Sequence, residues 1–404
     1  MKEFRKLQED LFKVIMDYRP IRGAPTVISP ELRDAYFSLP RHEFVNRFKL
    51  LNDPRLRTVE EEGSLEQIYS NRPLMYVRDD GSTLHASNSE PAFILHLLSL
   101  LDVRPGQSVL EIGCGTGWLL ALISRLVGEH GHALGVELEP VLGLQAQQNL
   151  SRVGINNAEV LIQDGNTSVF QQKFDRIIFT ASTYFIPDFV WDALAEGGKV
   201  VVPLRGRGPT EEAYVLEKSG QTLRSITARL CRFVPMTPSS SVGSDPSGLQ
   251  QALPPSLTAV LASDWTSRPF PVGEGPMEQQ EYRALPLSAF LSKTETRFQV
   301  FAPPNPFEPS DINDRLFGGS PSLALTIKDE AKESLAVWRA GSLASFNNPY
   351  AADAFETDFK EWLSLGRPLG SDFGVVISRE EHDIPAPKSW KERRGGDVFH
   401  WYLH

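Results

Sequence analysis

The sequence has little of three features that would each indicate a particular class of protein. Only two of its 404 residues are cysteine, Cys114 and Cys231, which excludes a disulfide framework and a zinc pattern built on cysteine pairs. Basic residues number 41 against 51 acidic ones, and the net charge of −10 argues against a nucleic-acid partner bound through phosphates. The most apolar run, 93–103, is too short to span a bilayer, so no membrane partner is expected.

The N-terminus is charged and lacks the apolar core of a signal peptide, so we expect a cytoplasmic protein. His400 and His404 stand four residues apart but lack an accompanying acid-histidine pattern, and no metal site is expected. The length indicates two domains or one enlarged domain. Nothing in the sequence indicates the oligomeric state.

The most informative stretch is an apolar strand, 108–112, that leads through a glycine-rich turn into a helix predicted over 119–127. Gly113, Gly115 and Gly117 permit a sharp turn without side chains in the way of a ligand. Backbone amides at the start of the helix then point at whatever lies over the turn. A doubly wound α/β sheet makes a nucleotide-sized site in this way. The alternative is a strand, turn and helix that bind nothing.

The spacing around this turn indicates which ligand it holds. The dinucleotide fingerprint places its third glycine where this chain has Trp118. Glu111, two residues before the first glycine, suits a ligand with a cationic end better than a pyrophosphate. Glu137 ends the next strand, about twenty residues after the turn, where an acid accepts hydrogen bonds from ribose hydroxyls. Together these residues favour S-adenosylmethionine over NAD as the cofactor.

Strands alternating with helices beyond the turn predict a mostly parallel sheet. Strands are predicted at 132–136, 159–163, 174–181 and 199–203, a helix at 186–195, and an antiparallel pair at 213–217 and 222–233. Asp164 follows its strand at the edge where the ligand should lie, and can accept from the adenine amino group. Asp164 and Gly165 also form an ordinary turn pair, which is the alternative.

Two helices are predicted before this sheet, at 3–18 and from Pro30 behind the N-cap Ser29, followed by a polar, irregular segment at 49–63. Ser87, Asn88 and Ser89 then precede a helix that Pro91 opens, a place suited to holding an anion. The alternative is that Ser89 or Asn88 merely caps the helix.

The composition changes to Ser, Pro and Gly at 237–256, which predicts a linker. Before it lies a catalytic domain, 1–236, whose N-terminal helices occupy 1–60. After it, apolar runs at 298–301, 322–327, 336–338 and 373–377 and a helical stretch at 350–363 predict a smaller α+β domain, 257–404. This domain carries no catalytic motif and is a candidate for substrate recognition.

Eight short motifs occur along the chain, and their combination and order are more specific than any one of them. They are Leu39-Pro-Arg-His-Glu-Phe-Val45, Tyr69-Ser-Asn-Arg-Pro-Leu74, Ser87-Asn-Ser-Glu-Pro91, the glycine turn, Asp164-Gly165, Phe174-Asp-Arg-Ile-Ile178, Gly197-Gly-Lys199 and Arg232-Phe-Val-Pro235. Over roughly residues 5–236 the chain resembles the protein-L-isoaspartyl O-methyltransferase family. The resemblance implies a Rossmann-like, class I S-adenosylmethionine-dependent methyltransferase fold with an extra C-terminal domain.

The resemblance also implies a role for individual residues. The cofactor site would comprise Glu111, Gly113, Cys114, Gly115, Thr116, Gly117, Glu137, Leu138, Asp164 and Gly165. Ser89 would be the hydroxyl beside the acceptor carboxylate, with Ser87 as its catalytic neighbour, and Asn88 and His85 would contact the substrate. No catalytic base is needed, because an aspartyl or isoaspartyl carboxyl has a pKa of about 4 and is ionised at neutral pH.

The resemblance implies that the acceptor is a peptide or protein that carries Asp or isoaspartate. Glu90 departs from the family pattern inside the acceptor loop, and the chain is far longer than a repair enzyme needs. Both features favour a dedicated, constrained, ribosomally made peptide whose ester cyclises to an aspartimide. General repair of isoaspartyl damage and a non-catalytic substrate adaptor that keeps the cofactor fold are the alternatives.

Overall fold

The computed structural model describes residues 2–19, 26–78, 80–236, 249–250, 255–274, 280–302, 315–317, 324–339, 341–381 and 388–404. Two compact units divide the chain. Unit 1 comprises Met1–Pro203, Ala213–Arg229 and Phe233–Ser241, and unit 2 comprises Leu204–Glu212, Leu230–Arg232 and Val242–His404. Most of the predicted linker lies outside the described residues, and the predicted division at 237–256 stays a prediction.

Unit 1 begins with two helices, α1 (Lys2–Asp17) and α2 (Pro30–Ser38). Both are predicted by the sequence, and the Ser29 hydroxyl accepts from the amide of Leu32 as an N-cap does, at 3.2 Å. Gln8 and Tyr36 tie the helices together, since each side chain bonds to the backbone of the other residue.

A small antiparallel sheet follows in unit 1. Its strands are β1 (Arg47–Leu50), β2 (Asp53–Thr58), β3 (Leu74–Val77) and β4 (Thr83–Asn88), in the order β2-β1-β3-β4, with helix α3 (Ser64–Ile68) between β2 and β3. The prediction of an irregular segment over 49–63 is wrong where β1 ends and β2 runs. Because β2 is an edge strand whose side chains are largely exposed, it lacks the apolar alternation by which a strand is recognised.

The main sheet of unit 1 is doubly wound, as predicted. Its elements are α4 (Pro91–Leu101), β5 (Ser108–Ile112), α5 (Trp118–Val127), β6 (His132–Glu137), α6 (Pro140–Arg152), β7 (Ala158–Ile162), β8 (Phe174–Phe179), α7 (Asp188–Ala193), β9 (Leu194–Arg205), β10 (Glu211–Ser219) and β11 (Thr222–Leu230). The strand order β11-β10-β9-β8-β5-β6-β7 places β5 between β6 and β8, parallel to both. The chain direction across the sheet reverses there, which opens a crevice beyond the carboxyl end of β5.

Unit 2 is α+β, as predicted. One sheet has the order β12-β14-β15-β16-β17-β13 and is antiparallel except for the β12–β14 pair. Strands β18 and β19 each pair antiparallel with β20. The elements are β12 (Leu249–Gln250), α8 (Pro255–Leu261), β13 (Trp265–Pro269), α9 (Gln280–Thr294), β14 (Phe298–Phe301), β15 (Ala324–Asp329), β16 (Ser334–Arg339), β17 (Ser342–Phe346), α10 (Tyr350–Ser364), β18 (Phe373–Ser378), β19 (Ser389–Arg394) and β20 (Asp397–Leu403).

Within the described ranges, no helix is both long and apolar enough to cross a bilayer. Over the same ranges, no group of three or more His, Cys, Asp or Glu side chains is arranged to hold a metal ion.

Candidate active site

The glycine turn joins β5 to α5 at the crevice. Gly113, Gly115 and Gly117 have φ of +88°, +54° and +88°, a region in which side chains other than glycine are strained. A Cβ on Gly113 would lie 2.9 Å from Thr180 Oγ1, and one on Gly115 would lie 2.8 Å from Tyr76 Oη. The obstacles that demand glycine here are therefore side chains of the protein itself, packed against the turn.

The larger cavity over this turn has a volume of about 230 Å³. Among the predicted cofactor residues it is lined by Gly113, Gly115, Glu137, Leu138, Asp164 and Gly165. Thr116 and Gly117 line neither this cavity nor its smaller neighbour. They stand directly before α5 and face α6, since the Thr116 carbonyl accepts from Asn149 and a Cβ on Gly117 would lie 3.2 Å from Ala146 Cβ.

Glu137 is fixed by the turn itself. One carboxylate oxygen accepts from the Gly115 amide at 2.7 Å, and the other accepts from the Glu139 amide at 3.0 Å. Burial raises the pKa of Glu137, and these backbone hydrogen bonds oppose the rise. The carboxylate ends β6 at the wall of the cavity, where its remaining lone pairs suit ribose hydroxyls.

Asp164 follows β7 and closes a local turn, because one of its oxygens accepts from the Asn166 amide at 2.8 Å. It therefore makes the ordinary Asp-Gly turn and lines the cavity as well. Gly165 is tightly packed, since a Cβ there would lie 2.9 Å from Ile112 Cγ2 and 3.4 Å from Met236 Cε.

A segment that sequence reasoning did not assign to the site, Val234–Met236, returns to this cavity. The amide of Ser182 donates to the Val234 carbonyl, and the Met236 amide donates to the Ser182 carbonyl, both at 2.8 Å. Two hydrogen bonds thus hold this returning segment beside the end of β8. The only signal for it in the sequence is the motif that ends at Pro235.

A smaller cavity of about 40 Å³ adjoins the larger one. The predicted residues Ser87, Asn88, Ser89, Glu111 and Cys114 line it, and Trp118 and Leu119 contribute apolar surface. The two cavities share Tyr76, Ser87, Gly113, Gly115 and Thr180 as lining residues. His85 lies in β4, but its side chain is outside the described part of the structure.

Glu111 lies at the smaller cavity, although the sequence predicts it as a cofactor ligand. Its side chain is 1% exposed, and among the described residues its Oε2 has no hydrogen-bond partner. Burial, with a smaller contribution from Glu137, raises the pKa of Glu111 to about 8. The carboxyl is therefore mostly protonated at neutral pH when no cation is near it.

Asn88, predicted as a substrate contact, lines the smaller cavity and is largely buried. It is 5% exposed, and its side-chain oxygen accepts from Arg41 Nε at 3.0 Å.

Tyr76 is a further residue that sequence reasoning missed. Its hydroxyl lies 3.0 Å from Thr116 Oγ1 at the turn, forty residues away along the chain. No local sequence pattern predicts such a contact.

The doubly wound sheet, the glycine turn and the acid that ends the next strand define the class of protein: a Rossmann-like, class I methyltransferase. More particularly, residues 20–241 match the sequence model of the family described as Protein-L-isoaspartate(D-aspartate) O-methyltransferase (PCMT). The chain belongs to this family, which confirms the resemblance and identifies S-adenosylmethionine as the cofactor.

Relatives support this assignment. The chain is 31% identical over 238 residues to a protein-L-isoaspartate O-methyltransferase of Methanopyrus kandleri, covering 58% of this chain and 93% of the relative. It is 32% identical over 210 residues to protein-L-isoaspartate O-methyltransferase 1 of Archaeoglobus fulgidus, covering 52% and 86%. A solved protein-L-isoaspartate O-methyltransferase shares the fold at a TM-score of 0.51 and 18% identity, covering 92% of this chain and 96% of that one.

Proposed function

We propose that this chain methylates the side-chain carboxylate of an Asp or isoaspartyl residue in a peptide or protein. The observation that carries the proposal is the pair of adjoining cavities at the glycine turn. The larger one has the acids of a donor site, and the smaller one opens between Ser87 and Ser89. A cofactor and a single acceptor side chain would then meet at the shared wall.

The residues at the larger cavity fit S-adenosylmethionine, which supplies an electrophilic methyl group on a sulfonium. We assign Glu137 to the ribose hydroxyls and Asp164 to the adenine amino group, since both acids line the cavity at the ends of adjacent strands. The buried carboxyl of Glu111 lines the adjoining smaller cavity and can ionise when a cation approaches. Gly113 and Gly115 admit the cofactor close to the backbone.

The acceptor needs orientation rather than deprotonation. A carboxylate with a pKa of about 4 is already a nucleophile at neutral pH, so no general base is required. We assign to Ser89, with Ser87 beside it, the task of directing one carboxylate oxygen in line with the methyl carbon. Apolar walls such as Trp118 and Leu119 limit the water around that oxygen.

We further propose that the acceptor is a dedicated, constrained peptide and that its methyl ester cyclises to an aspartimide. Two features support this: the family match ends at residue 241, and Glu90 places a carboxylate in the acceptor loop, where Asn71 holds it at 2.6 Å. A fixed negative charge there selects among acceptors, because it opposes a second acidic side chain next to the methylated one.

General repair of isoaspartyl residues is the second candidate, and one observation favours it. The solved protein-L-isoaspartate O-methyltransferase that shares this fold covers 92% of the chain, so a long C-terminal region is not peculiar to this protein. A non-catalytic adaptor is the third candidate. The packed glycine turn and the backbone-held carboxylate of Glu137 favour a functional cofactor site over it.

Mass spectrometry of peptides incubated with the full chain and S-adenosylmethionine tests these readings. The matched set is a constrained Asp peptide, a linear isoaspartyl peptide and the linear Asp peptide of the same sequence. A methyl gain followed by loss of methanol on the constrained peptide alone supports the dedicated acceptor. Methylation of the linear isoaspartyl peptide indicates repair. No methyl gain on any peptide, with intact binding of S-adenosylhomocysteine, contradicts the enzyme and supports the adaptor.

A further inference from the structure

Arg41 is a buried cation that the proposed chemistry leaves unexplained. It opens a short 3-10 turn, Arg41–Phe44, and is 1% exposed. Burial lowers the pKa of its guanidinium to about 10, so the group remains charged at neutral pH. Among the described residues, no ion pair includes Arg41. A buried charge is costly unless its hydrogen bonds are satisfied, so its contacts should explain why it is there.

Those contacts all lead to two segments, 68–72 and 88–89, and the second of them lines the smaller cavity. Each acceptor is an uncharged oxygen, and most are backbone carbonyls. Nη1 donates to the Ile68 and Ser70 carbonyls at 2.7 and 3.3 Å, Nη2 to the Arg72, Asn88 and Ser89 carbonyls at 3.2, 3.1 and 3.0 Å, and Nε to the Asn88 side-chain oxygen at 3.0 Å. One guanidinium thereby links the end of α3 to the end of β4.

The carbonyls of Asn88 and Ser89 are the informative pair. Both point at the same nitrogen of Arg41, and in a trans peptide the N–H points opposite to the C=O. The peptide planes on both sides of the Ser89 Cα are therefore fixed, with the amides of Ser89 and Glu90 directed away from the guanidinium. Fixing both planes fixes the direction in which the Ser89 side chain leaves the backbone.

The guanidinium is itself held in place. Its carbon lies 5.6 Å from the centroid of the Trp118 ring, and the Trp118 indole donates to the Leu39 carbonyl at 3.3 Å. Trp118 is the first residue of α5, directly after the glycine turn. The donor turn and the acceptor loop thus share one rigid support.

We propose that Arg41 is a positioning residue of the acceptor site, which sets the direction of Ser89 relative to the glycine turn without touching the reacting atoms. This rests on the proposed methyl transfer. A lysine at this position keeps the charge but presents a compact ammonium with three donors, which cannot reproduce a planar fork that reaches both segments. Misplacement of an acceptor by about 1 Å can cost a factor of about 100 in rate.

The test compares Arg41→Lys with the control Arg176→Lys in the full chain. Arg176 also donates to backbone carbonyls, those of Leu101, Asp102 and Asp175, but lies near the amino end of β8, away from the cavities. We expect Arg41→Lys to lower kcat for an acceptor peptide about 10- to 100-fold, with the Kd of S-adenosylhomocysteine changed by less than about twofold. The control should leave both quantities unchanged, and amide exchange over 86–90 should accelerate in Arg41→Lys alone.

The outcomes separate the two proposals. A parent chain that methylates no peptide contradicts the proposed function, and the exchange measurement then decides the role of Arg41. An active parent, with Arg41→Lys equal to it in kcat and in exchange over 86–90, overturns the role of Arg41 alone. Equal losses of cofactor affinity and kcat would indicate a purely structural role and also overturn it. If Arg41→Lys does not fold, Asn88→Ala removes one acceptor while keeping the guanidinium, and unchanged kcat there overturns the proposal.

Discussion

The two cavities at the glycine turn differ in size and in how their charged groups are held. The larger, of about 230 Å³, has the Glu137 carboxylate fastened by two backbone amides. The smaller, of about 40 Å³, has a largely protonated Glu111 on one side and the loop held by Arg41 on the other. The smaller cavity is therefore suited to one small group such as a carboxyl and not to a cofactor.

This difference suits the proposed reaction. Transfer of a methyl group from a sulfonium to a carboxylate removes one positive and one negative charge together. A partly dry site favours such a step, because the reactants lose more from poor solvation than the neutral products do. Negative side chains on the donor side and a buried cation behind the acceptor side then bring the two unlike charges together. The following variants act on one side, the other, or the wall between them.

Gly115→Ala should have the largest effect, because it alters the shared wall. The left-handed φ of +54° and the approach of the new Cβ to Tyr76 should together lower the free energy of unfolding by about 2–4 kcal/mol. Urea denaturation measures this. Gly154→Ala is the matched control, since its φ is +70° but no atom lies within 4 Å of the added carbon. Equal losses in the two variants would mean that Tyr76 does not press on the turn.

Ser89→Ala should affect the acceptor side alone. We expect kcat to fall about 100-fold, the usual cost of one lost donor at a reacting oxygen, with cofactor affinity unchanged. Steady-state kinetics with an acceptor peptide and calorimetry with S-adenosylhomocysteine measure the two quantities. Ser99→Ala, within helix α4, is the control, because the Ser99 hydroxyl donates to the His96 carbonyl of its own helix and lines neither cavity at the turn. Full turnover by the Ser89 variant would show that another group directs the carboxylate.

Glu137→Gln should affect the donor side alone. The carboxamide keeps one acceptor oxygen, so one of the hydrogen bonds from the Gly115 and Glu139 amides is lost and the other loses its charge assistance. We expect calorimetry to show about tenfold weaker cofactor binding. The KM for the acceptor peptide, measured at saturating cofactor, should be the same as in the parent chain. Glu129→Gln, at an 89% exposed side chain, is the control. If binding is unchanged in Glu137→Gln and also in Asp164→Ala, the donor site lies elsewhere.

Glu111→Gln should have the smallest effect on cofactor binding at neutral pH. Its effect should instead appear in how binding depends on pH. A cation favours the ionised form of Glu111, so binding of S-adenosylmethionine should release a proton and tighten as the pH rises toward about 8. The variant should lose this dependence, and S-adenosylhomocysteine, which lacks the sulfonium charge, should not show it.

The folded-state pKa of Glu111 lies above the ordinary value of 4.5. The stability of the parent chain without cofactor should therefore fall as the pH rises from 4.5 to about 8. A parallel stability profile in Glu111→Gln would contradict the assignment.

The donor side could be predicted from the sequence because its residues follow one another in βα units. Gly113 follows β5, Glu137 ends β6 and Asp164 comes two residues after β7, and parallel strands bring their carboxyl ends to one edge. The class of fold and the cofactor follow from that local order. Thr116 and Gly117 belong to the same motif, yet they serve the packing of α5 against α6 rather than either cavity.

The acceptor side could be predicted only in part. Ser87 and Ser89 can be recognised in the sequence because they precede a helix that begins at Pro91. The residues that orient this loop, however, are distant from it in the sequence. Arg41 reaches Ser89 across 48 positions and Tyr76 reaches Thr116 across 40, and no periodicity encodes either contact. Asn88, predicted to contact substrate, lines the smaller cavity and is held there by Arg41, a contact that its own segment does not encode.

The returning segment Val234–Met236 limits how far the polypeptide could be shortened. It hydrogen-bonds to Ser182 and lines the larger cavity, although β11 has already ended at Leu230. A fragment cut at the last strand of the sheet would keep every glycine and acid of the donor site yet leave that site open to water on one side. The smallest piece that could enclose a ligand there therefore extends six residues beyond Leu230, to Met236.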